Sequence, residues 1–216
     1  MYKYASPKFF YSLAGQLIPW TAGVTIVLLL AGLYLGLFVA PINESTSLGI
    51  VTISLALAVG QFTWGAMQPV AGAVADRYGP RAVLITGLVV LAIGSALTPF
   101  MTSGIGLIVS LGLLSAMGAG AGSFSVLIGA AAQRMPLEAR GTASGVINAG
   151  GSFGQFIMAP VGQQLIAGWG WQGALLIMAG MTALMLPFAW PLRGRAAVTA
   201  GKREQTIAEA LREAAG

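Results

Sequence analysis

The stretch LGIVTISLALAVGQFTWGAMQPVAGAVADRYGPR, Leu48 to Arg81, decides the class of this chain. No residue from Leu48 to Ala75 is charged, and then Asp76, Arg77 and Arg81 arrive together. A helix needs about 20 apolar residues to cross the hydrocarbon core of a bilayer, so the run to about Val74 is long enough. Unpaired backbone amides in lipid cost several kcal/mol each, which leaves only a helix or a closed barrel. Barrel strands alternate polar and apolar residues over about ten positions. This run does not alternate, and a helix follows.

The same pattern recurs on both sides. Of the 216 residues, 56% are hydrophobic and 8% charged, far from the globular average. The apolar runs are about 17–40, 48–74, 82–101, 105–132, 142–167 and 172–192. The first follows a segment carrying Lys3 and Lys8, and it is longer than the 7 to 15 residue core of a signal peptide. Turns are expected at Pro41–Thr46, Asp76–Arg81, Thr102–Gly104, Gln133–Arg140 and Gly168–Trp171, the last with interface-type tryptophans. The fold class is therefore all-α membrane protein, with six transmembrane helices. Residues 203–215 read as a short amphipathic C-terminal helix, with Thr206 and Glu209 in capping-box spacing.

All 11 Lys and Arg residues fall at the amino end, in the second and fourth turns, or in the tail. The opposite turns hold Glu44 as their only charge. Basic residues near helix ends resist translocation, so both termini are expected in the cytoplasm. A net charge of +5 is thus explained by orientation and not by nucleic acid, because the basic residues flank apolar spans without forming a face. The chain has no cysteine and no histidine, which removes disulfides, thiol and imidazole chemistry and ordinary transition-metal sites. No catalytic residue, metal site or cofactor is expected, and the chain is not read as an enzyme.

Within the second turn, Gly72 permits close helix approach, Asp76 can pair with an arginine at the membrane surface, and Gly79-Pro80 forces a reversal. The plainer reading is a charged turn that only sets topology. The order Gly72, Asp76, Arg77, Gly79, Arg81 resembles the signature between the second and third helices of the major facilitator superfamily, with Pro80 in place of a basic residue. The run from Pro136 through Glu138, Arg140 and Gly141 to Gly145 resembles that family's loop between helices four and five. The resemblance implies half of a major-facilitator-type fold. It also implies alternating access between two six-helix halves, and a gating role for Gly72, Asp76, Arg77, Gly79 and Arg81 with Arg140 as a local partner. The implied partners are the lipid bilayer, a small-molecule substrate, and a second transporter half or a second copy.

Polar side chains at membrane depth are the candidates for a substrate cavity. Gln61 and Gln68 share a face of helix two with Trp64, and Asn148, Ser152 and Gln155 form a stripe on helix five. Amides in lipid more often join helices than bind substrates. No charge lies at mid-depth, so facilitated diffusion or exchange is favoured over an ion relay. The glycines Gly118, Gly120 and Gly122, and Gly141 to Gly154, read as helix-packing sites rather than a phosphate loop, because neither a strand nor a Lys-Ser/Thr pair accompanies them. The segment Gly154 to Gly162, with Pro160, loosely resembles the glycine-proline motif of exchangers, which points toward organic-anion or monocarboxylate substrates.

Residues 1–41, from Pro7-Lys8-Phe9 through Pro19-Trp20 to Pro41, resemble the opening of the heme-exporter-C family of cytochrome c maturation. That family handles heme with histidines and a tryptophan-rich loop, and both are missing here. The reading divides the chain into 1–41, a heme-exporter-like first helix; 42–192, transporter-like helices two to six; and 193–216, a cytoplasmic tail or linker. Solute transport by a truncated or half-length transporter in a bacterial inner membrane is the function expected. A heme-delivery membrane protein and an inactive fusion fragment are the alternatives. With the tail inside, a fluorescent protein fused after Gly216 should light up and an alkaline phosphatase fused there should stay inactive; the opposite pair would put the tail outside.

Overall fold

The computed structural model describes residues 35–122, 126–129 and 137–189. Most of the expected first span, the charged stretch 131–136 and the tail with its amphipathic helix lie outside these residues. Every regular element among the described residues is helical. Four stretches are long and apolar enough to cross a membrane: Ile50–Tyr78, Pro80–Phe100, Gly104–Gly129 and Phe156–Leu184.

Helix α1, Leu35–Thr46, continues through Pro41, where a turn was expected. Pro41 lacks an N–H, so one helical bond is lost. Burial of Phe38 and Ile42 against Ile53 and Trp171 outweighs that loss. The hydroxyls of Ser45 and Thr46 fold back onto the Ile42 carbonyl at 3.2 and 2.6 Å, and the reversal falls instead at Ser47 and Gly49, both with positive φ.

Helix α2, Ile50–Tyr78, passes Pro69 without a break. Helix α3, Pro80–Leu97, starts with proline at its first position, where the missing N–H costs nothing. It ends in the 3-10 turn Thr98–Phe100, so Pro99 closes the helix. Helix α4 begins at Gly104–Leu107, capped by Ser103 Oγ on Gly106 N, becomes π-helical over Ile108–Ser115 and returns to α-helix at Ala116–Ala121.

The helical run Leu137–Leu184 contains one residue of non-helical backbone, Gly170, with φ 69° and ψ 171°. It is therefore two helices, α5 (137–169) and α6 (171–184), joined at the glycine-tryptophan turn, and the apolar stretch Phe156–Leu184 spans their junction. The packing agrees with a reversal there. Ile147 on α5 lies with Leu84 and Leu88 near the Asp76 end of the bundle, Met158 and Trp171 lie at the other end, and Ala189 returns to the first cluster. A final short helix, α7, Leu186–Ala189, follows a turn at Met185 and contains Pro187.

Helix α4 is wedged between α2 and α3, the far side of α3 carries the α5–α6 pair, and α1 packs on both α2 and that pair. One apolar cluster, around Leu84, Leu88, Leu91 and Leu127, fills the Asp76 end. A second, around Phe38, Ile53, Leu107 and Trp171, fills the opposite end. Glycine sets how close α4 comes. A Cβ on Gly118 would overlap the backbone of Leu91, and one on Gly120 would lie 2.7 Å from Met67 Cβ and 2.8 Å from the Trp64 carbonyl. Gly65 and Gly72 on α2, and Gly141 and Gly145 on α5, have nothing within 4 Å of an added Cβ. Gly118→Ala should therefore lower stability by about 1–3 kcal/mol through overpacking, whereas Gly65→Ala should be neutral or gain up to about 1 kcal/mol of helix propensity. Thermal unfolding of both variants in one detergent checks the contrast.

Candidate functional site

The Asp76 turn is built by three backbone features. Gly79 adopts φ 91° and ψ 148°, a conformation L side chains rarely tolerate, and its N–H donates to the Ala75 carbonyl at 2.8 Å, closing α2. Pro80 then opens α3 directly, so the two helices reverse within a single residue. Gly79 and Pro80 are buried, while Asp76, Arg77 and Tyr78 are exposed and Arg81 is half-buried.

The Arg77 guanidinium lies 5.4 Å from the Tyr78 ring centroid, within cation–π range, and Arg81 is engaged in an interaction of its own. Asp76 makes no ion pair among the described residues. Its carboxylate projects from the last turn of α2, where the helix dipole is negative and the nearby arginines offset it. Arg140 lies on the first turn of α5, and its side chain is outside the described residues.

The polar stripe of α2 is open. Ser54, Ala58, Gln61 and Gly65 are exposed and Gln68 and Gly72 half-buried, and at helical spacing they form one side of the helix. Trp64 sits at the edge of this stripe, partly packed on the cluster at the Asp76 end, with its carbonyl against Gly120. On α5, Asn148 is exposed and hydrogen-bonded or otherwise engaged, and positions 152 and 155 follow it on the same side by helical register. The α2 and α5 stripes are on helices that do not pack against each other: α2 packs on α1, α3 and α4, and the α5–α6 pair on α1 and α3. The structure thus leaves the two sets of sequence-selected residues as separate open faces.

Two polar groupings are not evident from the sequence. Trp171, read as an interface aromatic, is only 6% exposed, and its indole Nε1 donates to Ser45 Oγ at 2.7 Å. Trp169, at 67% exposed, keeps the interface character. Beside this contact, Gln172 Nε2 donates to the Pro99 carbonyl at 3.3 Å, so the start of α6 is tied to the ends of both α1 and α3. Between α3 and α4, Thr98, Ser110 and Ser115 form a buried hydroxyl group. The cue for it is the recurrence of Ser and Thr inside apolar runs, where they bond back to carbonyls.

A bundle of apolar helices with glycine-mediated contacts, tight charged turns and polar residues at mid-length is the core of a multi-pass membrane protein. A family model described as Major Facilitator Superfamily matches residues 17–214, and this chain belongs to that superfamily. It is 33% identical over 151 residues to monocarboxylate transporter 13 of Rattus norvegicus, covering 70% of this chain and 34% of that protein. It is 31% identical over 137 residues to the probable sulfoacetate transporter SauU of Cupriavidus necator, covering 62% and 31%. Monocarboxylate transporter 11 of Homo sapiens is 32% identical over 145 residues, covering 64% and 30%. The chain spans about a third of the length of these relatives.

The family match takes in residues 17–41, so the likeness of that segment to the heme-exporter-C family is not borne out. An apolar helix behind two lysines carries little family-specific information, which is why a chance likeness arises there. At the Asp76 turn, Gly79→Ala should cost on the order of 1–3 kcal/mol, the usual penalty for a side chain held in glycine-only backbone space. Its melting temperature measured beside that of Arg77→Ala, an exposed position, separates backbone strain from loss of charge.

Proposed function

We propose that this chain moves a small organic anion, of carboxylate or sulfonate type, as one half of a major facilitator transporter working by alternating access. The observation that carries the reading is the match to the superfamily over nearly the whole chain, with relatives named as monocarboxylate and sulfoacetate transporters. Those anions share a small size and a delocalised negative charge, and a site for them needs directional donors more than a deep apolar pocket.

The open stripe of α2 supports the same reading. Gln61 and Gln68 have amide donors at mid-length, and an amide facing lipid would lie unsatisfied. A second six-helix half, or a second copy of this chain, would cover the stripe together with the Asn148 side of α5 and enclose an aqueous path. Six spans in this half, both termini in the cytoplasm and residence in a bacterial inner membrane complete the proposal, supported by the placement of all 11 basic residues in alternate turns and at the ends. With no charge at mid-depth in this half, exchange or facilitated diffusion is the mode of movement.

Asp76 has the position of a gate residue: a carboxylate at the end of α2, beside two arginines, at the mouth between helices. Removing its charge weakens whatever arginine and helix-end contacts hold that mouth shut, while leaving the apolar spans that drive insertion untouched. In liposomes containing the purified chain, uptake of labelled lactate should appear with the unaltered protein. It should change about tenfold or more in Asp76→Asn at equal membrane content. Equal kinetics in the variant would remove the gate role, and no uptake from any assembly would favour an inactive fragment.

A further inference from the structure

The π-helical segment Ile108–Ser115 interrupts α4 at its most tightly packed point. A π turn bonds each residue to the fifth before it and so holds one more residue than an α turn. Runs of this length are rare, because the backbone is under-packed along its axis. Here the strain has identifiable compensation. Ser115 Oγ donates to the Ser110 carbonyl at 3.0 Å, a bond that reaches back five positions and closes the widened turn.

Across the interface, Thr98 Oγ1 donates to the Gly94 carbonyl at 2.8 Å and pairs with Ser110 Oγ at 3.1 Å, the second proton coming from Ser110. Gly94 makes room for all of it. A Cβ there would lie 2.5 Å from Ser115 N, 2.6 Å from Ser115 Oγ and 2.9 Å from the Ser110 carbonyl.

The register beyond the segment depends on this widened turn. If Ile108–Ser115 relaxed to ordinary α-helix, everything after it would advance by about one residue, a rotation of about 100°. The tight site against Leu91, now filled by Gly118, would receive Met117, and that against Trp64 and Met67, now filled by Gly120, would receive Ala119. Neither fits at the present distances. Relaxation therefore requires α4 to move away from α2 and α3, and close packing of the three helices requires the π register.

We propose that Ile108–Ser115 is a two-register switch: π when α4 is closed on α2 and α3, and α when that end of the bundle opens. On the alternating-access reading, on which its role rests, the switch rotates the Asp76 half of α4 as that mouth opens. The hydroxyls of Ser110, Ser115 and Thr98 are the latch, and Gly94, Gly118 and Gly120 are the sites that sense which register is present.

The chain has no cysteine, so Met117→Cys and Ile105→Cys can each carry a nitroxide as the only label. Met117, after the segment, is 40% exposed and would turn inward in the α register, whereas Ile105 precedes the segment and stays outside in both. In lipid nanodiscs the Met117 label should give mobile and immobile components together, and Ile105 a mobile one alone. Deleting Leu113, which removes the extra residue, should raise the immobile fraction at Met117 at least threefold and leave Ile105 unchanged. Gly94→Ala, which crowds Ser115, should shift the ratio the same way and serves if the deletion does not fold. A single component at Met117, unmoved by either change, overturns the switch even if the protein transports. Two components in a chain that shows no uptake uphold the switch and remove the transport reading.

Discussion

Close approach between helices is the constraint on which this fold depends. In a bilayer an apolar side chain gains almost nothing by leaving lipid for another helix, so association must come from contact at short range. Helix α4 achieves it by presenting backbone where its neighbours present backbone: Gly118 to Leu91, Gly120 to Trp64, and Gly112 to the Ala56 carbonyl. The leucines around these points, Leu84, Leu88 and Leu91, then fill what remains at densities that larger residues on α4 would forbid. The hydroxyl contacts of Thr98, Ser110 and Ser115 act inside the same seam, where no water competes.

How much of this is legible in the sequence follows from what each feature depends on. Helical class depends on run length and charge spacing, both coarse and both plain between Leu48 and Arg81. The reversal at Asp76–Arg81 depends on Gly79 and Pro80, whose backbone limits are intrinsic, so it too is readable. The turn at 41–46 is misread because proline normally ends a helix; the burial of Phe38 and Ile42, which decides otherwise, is tertiary. Trp171 is misread for the same reason, since its partner Ser45 lies 126 positions away. The π turn has no signature at all: Ile-Val-Ser-Leu-Gly-Leu-Leu-Ser is ordinary helix composition, and its register is set by Gly94 on another helix. Of the candidate site, Gln61, Gln68 and Asn148 are found on open faces as their helical positions imply, while the side chains at 140, 152 and 155 are outside the described residues.

The glycines divide into two populations that the sequence presents as one. Gly87, Gly94, Gly112, Gly118 and Gly120 are used up by contacts within the chain. Gly65, Gly72, Gly141 and Gly145 meet nothing within it, and they share α2 and α5 with the open polar side chains. One set holds this bundle together, and the other lies on the faces where it is unfinished.

The bond from Trp171 to Ser45 also has a consequence in time. Ribosomes add roughly 5–20 residues per second, so about ten seconds separate the synthesis of Ser45 from that of its indole partner. During that interval the end of α1 has Phe38 and Ile42 resting on α2 alone, without the tryptophan that later covers them. The first helix to enter the membrane is thus among the last to be fastened, and the bundle is sealed by its final hairpin.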